Sequence, residues 1–409
     1  MKLLHTADWH LGKRLLDFSR LEEQRQVMDE ICQLADEHVV DAVLIAGDLY
    51  DTFNPSNEAI ELFYKTLHRL ADGGKRAVIG IAGNHDSPDR IDAPYPLAEA
   101  CGIFLNGRPR ASLKEFKTDG GVEITKAAPG FIELKFPKCE APLRLLLTPY
   151  ANESTLRQHL SEEENREEEL RQLLQEHWKE LADQYCDDNG VNMLMAHLYF
   201  MERGGVPPEE DDESERSILH MGGAQAIYTD NLPKQMQYVA LGHLHRYQFI
   251  SKTPCPVVYS SSPLAYSFSE AHQPKFVMIL EAEPGKEVDV IPIRLQSGRT
   301  LARKTFSQPE EAVQWLQENP NTFVELTLET DSYLDASVKR QLLQAHDGIV
   351  SIRPKLRQTE KAEGEEYTQP IKEGLDRTEM FRQYVTHKTG QPANEGMMEL
   401  FREITSLET

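Results

Sequence analysis

The stretch IAGNHDSPDR, residues 81–90, places three polar side chains directly after an apolar run. Residues 77–82 are apolar enough for a buried strand, which stops at a glycine before Asn84, His85 and Asp86. An amide, an imidazole and a carboxylate are ordinary turn residues, so one such ending says little by itself. It becomes informative if other strands of the chain end in the same way.

Four further apolar segments also end in Asp or His. In α/β sheets, ligands collect beyond the carboxyl ends of the strands. We therefore expect the five endings to converge on one site. In chain order, the polar residues at these endings are Asp8 and His10; Asp48 and Asp51; Asn84, His85 and Asp86; His197; and His243 and His245.

The pattern over residues 1–108 predicts an α/β fold. The stretch NPSNEAIELFYKTLHRLADGG has apolar residues at helical spacing, and either Asn54 or Ser56 can cap its start. A strand follows this helix, which predicts a β-α-β unit with parallel pairing. Residues 154–182 read as a long helix with a charged, solvated face.

The chain divides into four predicted parts. Residues 1–297 form the main domain, and residues 298–355 form a small α+β domain in which helix and strand patterns alternate. A polar linker, residues 356–375, leads to two amphipathic helices within residues 376–409. Such a pair cannot form a core alone, so it either folds back or docks on a partner, and docking is favoured. The apolar residues expected to meet that partner are Phe381, Tyr384, Leu400 and Phe401.

Composition limits the class of protein. No apolar run among the 409 residues approaches the ~20 needed to span a bilayer, and the start lacks the apolar segment of a signal peptide. The five cysteines include no C-x-x-C pair, which predicts a reduced, cytoplasmic location. The net charge of −23 argues against broad phosphate binding by lysine and arginine. A nucleic-acid substrate would need metal ions, a local basic patch or a partner.

Seven of the polar side chains make a ligand set for metal ions. Mixed imidazole and carboxylate ligands suit manganese, iron or zinc better than calcium, and seven are too many for one zinc. They suit two ions if one carboxylate bridges, and Asp48 is the natural bridge from its central place in the set. Two ions ~4 Å apart can activate water and neutralise charge at phosphorus. The predicted ligands are Asp8, His10, Asp48, Asn84, His197, His243 and His245.

His85 stands beside a ligand but is a poor candidate for a third ligand to the same ion. A histidine above the site could protonate a leaving oxygen or stabilise a charged phosphorus centre. Asp86 could orient it. For Asp51 and Asp86, a role in supporting the site and a purely structural role remain equally open.

The order D-x-H, G-D-x-x-D, G-N-H-D, a lone histidine and G-H-x-H resembles the signature of calcineurin-like metallophosphoesterases. Within them, LLHTADWHLGKRL, AGDLYDTFNPS, AGNHDSPDR, YVALGHLHRYQ and SSSPLAYSFSE are similar to the SbcD family of nuclease subunits. This resemblance covers nearly the whole chain. It implies a four-layer αββα sandwich with two mixed sheets, in which residues 1–297 are the nuclease domain and residues 298–355 cap it.

The resemblance also implies a site and partners. It assigns a first manganese to Asp8, His10, Asp48 and His245, a second to Asp48, Asn84, His197 and His243, and a catalytic role to His85. The family cuts DNA as a duplex exonuclease and as a single-strand and hairpin endonuclease, in repair, recombination and replication. Its partner is an SbcC-type coiled-coil ATPase bound by the tail helices, and the implied assembly is a homodimer within a heterotetramer, away from membranes.

One position departs from the family pattern. The family often has glycine where this chain has Ser261, and serine lacks the freedom of glycine at positive φ. The shape of that loop is therefore left open, while no metal ligand is affected.

Two other functions keep the same residues. A small-substrate phosphodiesterase or phosphatase would have this metal site, but it needs neither the small second domain nor the tail helices. A non-catalytic scaffold would keep the fold, but it need not retain Asn84 and His85 together. Manganese-dependent release of nucleotides from linear duplex DNA separates the three.

Overall fold

The structure is a computed structural model of the 409-residue chain. It describes residues 1–156, 166–208, 226–330 and 335–356, together with residues 378, 380–382, 385, 397, 398 and 401 of the tail. Contacts divide the chain into two compact units, Met1–Leu356 and Arg357–Thr409.

The strands and helices of the first unit alternate through much of its length. The strands are β1 (Lys2–Thr6), β2 (Arg14–Leu15), β3 (Phe18–Ser19), β4 (Ala42–Ala46), β5 (Ala77–Ile81), β6 (Ile103–Asn106), β7 (Phe116–Lys117), β8 (Glu123–Ala128), β9 (Phe131–Lys135), β10 (Leu143–Thr148), β11 (Val191–His197), β12 (Phe200–Met201), β13 (Ile227–Tyr228), β14 (Tyr238–Gly242), β15 (Gln248–Ser251), β16 (Val257–Tyr259), β17 (Phe276–Glu281), β18 (Asp289–Arg294), β19 (Thr300–Phe306), β20 (Thr322–Thr330) and β21 (Ile349–Leu356). The helices are α1 (Leu21–Glu37), α2 (Asn57–Leu70), α3 (Pro88–Asp92), α4 (Tyr95–Ala100), α5 (Glu153–Leu156), α6 (Arg166–Tyr185), α7 (Pro309–Glu318) and α8 (Ala336–Ala345).

Two mixed sheets form the middle of the main domain. One has the strand order β18-β17-β1-β4-β5-β6, and the other has the order β15-β16-β14-β11-β10-β9-β8-β7. β1, β4, β5 and β6 are parallel neighbours in the first sheet, while β10, β11, β14 and β16 are parallel neighbours in the second. The predicted β-α-β unit is β4-α2-β5, with Ser56 rather than Asn54 capping the helix through the Ala59 amide.

Helices cover the outer faces of both sheets. Successive strand residues point to opposite faces, so Leu3 packs between the two sheets while Leu4 packs against α1 and α2. On the outer face of the second sheet, α6 packs with a buried stripe that includes Leu174 and Trp178. The layers therefore run helix, sheet, sheet, helix, and the predicted four-layer αββα sandwich is confirmed. Residues 157–165 of the predicted charged helix lie outside the described residues.

The small second part of this unit is a β-α-β-α-β arrangement. Its sheet has the order β19-β20-β21, and both pairings are parallel. The sequence pattern missed β19, whose exposed residues alternate too irregularly to mark a strand. Phe323 packs with Leu15, Phe268 and Leu301, so this part shares a small apolar cluster with the main domain.

The tail unit is described at eight positions only. There the Phe381 and Phe401 rings stack in parallel, with centroids 4.1 Å apart and planes 5° apart. Val385 and Met398 are buried. Tyr384 and Leu400, which were also predicted to meet a partner, lie outside the described residues, as does the predicted linker from residue 357 onward.

Among the described residues, no helix combines the length and the apolar character that crossing a membrane requires.

Candidate metal centre

The two sheets lie close together where their parallel strands end. A Cβ atom on Gly242, at the end of β14, would lie 1.9 Å from the Ala46 carbonyl oxygen at the end of β4. A Cβ atom on Gly47 would lie 2.1 Å from Nδ1 of His197. Only glycine fits at these two positions, which is why the sequence carries G-D and G-H motifs. Their close approach brings the ligand candidates of both sheets into one site.

The loops after β1 and β4 are bonded to one another. The Asp8 amide donates to the Gly47 carbonyl at 3.0 Å, and the His10 amide donates to the Asp48 carbonyl at 2.9 Å. Asp8, His10 and Asp48 all have positive φ, between 43° and 54°. This backbone conformation turns the three side chains into the space between the sheets, where each is fully buried.

The first cluster joins Asp8, His10 and His245. Nε2 of His10 lies 2.9 Å from Nε2 of His245, so the two ring nitrogens face one point. One ligand atom from each of the three residues lies within 4.8 Å of the others.

The second cluster joins Asn84, His197 and His243. Oδ1 of Asn84 lies 2.9 Å from Nε2 of His197 and 3.0 Å from Nδ1 of His243. The other ring nitrogen of His197, Nδ1, lies 2.9 Å from the Ala46 carbonyl oxygen. Because a carbonyl only accepts, Nδ1 carries the proton and the ring turns Nε2 toward the cluster.

Asp48 lies between the clusters. Its Oδ2 is 3.5 Å from Nε2 of His10 in the first cluster and 3.3 Å from Nε2 of His197 in the second. Its Oδ1 accepts a hydrogen bond from the His85 amide at 2.9 Å. One carboxylate oxygen is thus held by the backbone while the other faces both clusters.

The donor set suits divalent cations. Within the described part of the chain, Oδ2 of Asp8 and Oδ2 of Asp48 are buried acceptors that no hydrogen bond satisfies. Burial raises the pKa of Asp8 to about 7 and lowers the pKa of His10 to about 4, so the imidazole is neutral as a metal ligand must be. Burial alone would lower the pKa of His197, but the Asp48 and Asp8 carboxylates raise it to about 9. A cation among these groups would take the place of that proton.

Comparison with known proteins identifies the family. The profile of the calcineurin-like phosphoesterases matches residues 1–247. The SbcD subunit of the nuclease SbcCD from Bacillus subtilis (strain 168) is 35% identical over 410 residues, which cover 99% of this chain and 98% of that protein. The proteins of the same name from Rhodobacter capsulatus (30% identity; 72% of this chain, 69% of that protein) and Staphylococcus epidermidis (31%; 69% and 66%) also match.

The chain belongs to the SbcD family of calcineurin-like phosphoesterases. It is therefore a nuclease, a divalent-metal-dependent phosphodiester hydrolase. The resemblance seen in the sequence is confirmed at the level of the family.

In this nuclease, the backbone of Asp51 holds the His85 ring. Nδ1 of His85 donates to the Asp51 carbonyl oxygen at 2.9 Å, which assigns the ring proton of neutral His85 to Nδ1. The His85 ring also meets the His10 ring edge to face, with centroids 4.8 Å apart. His85 thus lies beside the first cluster.

Asp51 and Asp86 hold the loops of the site by different means. The Asp51 carboxylate lies 2.9 Å from Nζ of Lys13 and 3.7 Å from Nδ1 of His10. Burial would raise the pKa of Asp51, but His10 and Lys13 hold it at about 2. Asp86 is buried and accepts three amide hydrogen bonds, which tie the loop after β4 to the loop after β5. The donors are the amides of Leu49, Tyr50 and Gly83, at 3.0, 2.9 and 2.8 Å.

Sequence reasoning missed three residues around the ligands, Lys13, Glu270 and Lys275. Glu270 is fully buried, and its Oε1 lies 3.3 Å from Nδ1 of His245. Burial alone would raise the pKa of Glu270, but the Lys275 ammonium and His245 hold it below its usual range. The signal was present, since Glu270 is the last residue of the SSSPLAYSFSE stretch that carried the resemblance.

Ser261 keeps the conformation that glycine would favour. Its φ is 85°, and its buried hydroxyl accepts a hydrogen bond from the Phe276 amide at 2.9 Å. The serine therefore adopts the left-handed conformation that a glycine at this position would favour. The hydrogen bond offsets the strain of a serine in the left-handed region.

Proposed function

We propose that this nuclease cuts DNA at a centre of two manganese ions bridged by Asp48. The observation that carries this proposal is the position of Oδ2 of Asp48, 3.5 Å from His10 and 3.3 Å from His197. Each of these histidines belongs to a different cluster, so a single carboxylate oxygen serves both. The proposed first ligand set is Asp8, His10, Asp48 and His245, and the second is Asp48, Asn84, His197 and His243.

Divalent ions held there would supply Lewis acidity that polarises the phosphoryl oxygens and activates water. The chain itself supplies the side chains that would hold these ions, and it supplies a proton donor. Nδ1–H of His85 is fixed by the Asp51 carbonyl, so Nε2 is the atom that exchanges a proton with the substrate. Protonated His85 would donate from Nε2 to the leaving oxygen of the scissile phosphodiester.

DNA is the proposed substrate although the chain carries a net charge of −23. Electrostatic attraction to DNA requires cations near the cut site, and the metal ions would supply them locally.

The relatives are named as a subunit of SbcCD, which supports a partner. We propose an SbcC-type coiled-coil ATPase as that partner, bound through the tail helices of a homodimer. The five free cysteines fit work in the reducing cytoplasm.

Release of nucleotides from linear duplex DNA by the purified chain tests the proposal. Manganese should support release, chelation should abolish it, and calcium, which prefers oxygen ligands, should support it poorly. The assay is repeated with the ATPase partner and with a small nitrophenyl phosphodiester. Cleavage of the small ester with no action on DNA under either condition would overturn the choice of substrate.

A further inference from the structure

The His245 ring is held from the side opposite its ligand face. Nε2 faces His10 at 2.9 Å, while Nδ1 lies 3.3 Å from Oε1 of Glu270. Glu270 ends a short 3₁₀ turn, Phe268–Glu270, and has no exposed surface. The same Oε1 also accepts from the Tyr266 amide at 3.2 Å, so the carboxylate is fixed by the backbone.

Lys275 completes the arrangement around His245. Its buried ammonium donates to the other Glu270 oxygen, to the hydroxyl of Ser262 at 2.9 Å and to the backbone carbonyl of His245 at 2.9 Å. Its three protons are thereby used. Glu270 holds the ring of His245, and Lys275 holds its main chain.

We propose that Glu270 and Lys275 are a positioning pair that sets the tautomer and ring orientation of His245, and with them the affinity of the first metal position. The inference rests on the proposed two-metal centre and extends it to residues outside the ligand set. A carboxylate on the far nitrogen of a metal-binding imidazole fixes the tautomer and makes the ligand nitrogen more basic. A buried carboxylate alone would be costly. Lys275 offsets that cost, and the pair of opposite charges adds no net charge to the site.

The far ring nitrogens of His197 and His245 are held by different kinds of group. The His197 ring in the second cluster is held by a neutral carbonyl, that of Ala46. The His245 ring in the first cluster is held by a carboxylate. Loss of the Glu270 charge should therefore act on one metal position and leave the other unchanged, which a general loss of stability would not do.

The test compares Glu270→Gln with Glu133→Gln. Glu133 is a matched control, because it is also buried and ion-paired, with Nε of Arg144 at 2.8 Å. Arg144 lies near the start of β10, at the opposite end of the strand from the site. Manganese titration by calorimetry should show ~10–100-fold weaker binding at one of two sites for Glu270→Gln. Glu133→Gln should leave both affinities as in the wild type.

A second measurement reads the His245 tautomer directly in the wild-type protein. In the wild-type protein without metal, nitrogen NMR of the labelled imidazoles should show His245, assigned through His245→Ala, with its proton on Nδ1. The Nε2–H tautomer would overturn the proposal, and so would Glu270→Gln binding two ions with wild-type affinities. Failure of the wild type itself to bind two ions would instead overturn the two-metal centre.

Discussion

Four of the ligand candidates hold a backbone conformation that L-residues rarely adopt. Asp8, His10 and Asp48 have φ between 43° and 54°, and His243 has φ 105°. Such residues cost on the order of 1–3 kcal/mol each and persist where the surrounding structure enforces them. Here the enforcement comes from hydrogen bonds among the loops, such as that from the His243 amide to Oδ1 of Asp8 at 2.8 Å. Hydrogen bonds among the loops thus fix the directions of these side chains.

At this scale, Asp48→Asn is the sharpest test of the bridge. The amide retains the size of the side chain but removes the negative charge shared by the two clusters. We expect one of the two proposed manganese sites to weaken by at least ~10-fold and DNA cleavage to be lost, while the fold remains. Calorimetry and a nuclease assay on one preparation measure both effects.

Asn84→Ala should behave in the same way, because it removes the oxygen that faces His197 and His243. Asp29→Asn, at an exposed carboxylate paired with Arg69, is the control. Normal cleavage with two bound ions in either site variant would show that the ligand assignment is wrong.

His85→Ala separates chemistry from metal binding. If Nε2 of His85 delivers a proton to the leaving oxygen, the variant should lose ~10²–10⁴-fold in kcat while both ions stay bound. A nitrophenyl phosphodiester has a leaving group that needs no proton, so its hydrolysis should fall much less than that of DNA. Equal losses on both substrates, or lower metal occupancy, would instead indicate that His85 only packs the loop.

At the scale of elements, the sequence predicted the strand endings because each ending is local. An apolar run followed by Asp, Asn or His, after a Gly in three of the five endings, needs no knowledge of the partner strand, so all seven ligand candidates could be named. Glu270 could not be assigned to His245, because the pair depends on a loop that returns to the site 25 residues later. β19 was missed for a related reason, since its stability comes from pairing with β20 rather than from its own pattern.

The loop that contains Ser261 gives a prediction at this scale. Ser261→Ala retains the strain at φ 85° and loses the hydrogen bond from Phe276. Ser261→Gly also loses the bond but relieves the strain, which is worth roughly 1 kcal/mol. The urea concentration at the midpoint of unfolding should therefore be higher for the glycine variant than for the alanine variant. An alanine variant as stable as the glycine variant would show that this backbone is not strained.

At the scale of the whole molecule, the metal centre belongs entirely to one unit. Every ligand candidate lies before residue 246, within the unit Met1–Leu356. The site also lies between two sheets, so both must be in place before the seven side chains converge. The docking site that we propose for the partner lies instead in the second unit, Arg357–Thr409.

Deletion of residues 376–409 tests that separation. The variant should keep the manganese-dependent activity of the wild type without a partner, because it keeps the whole metal centre. It should no longer co-purify with the SbcC-type ATPase, since the apolar tail helices that we propose as the docking site are gone. Phe381→Ala combined with Phe401→Ala is a milder version, which removes the stacked pair of rings that joins the two described segments of the tail. Undiminished association after the full deletion would exclude the tail as the docking site, and loss of basal activity would show that the two units are coupled.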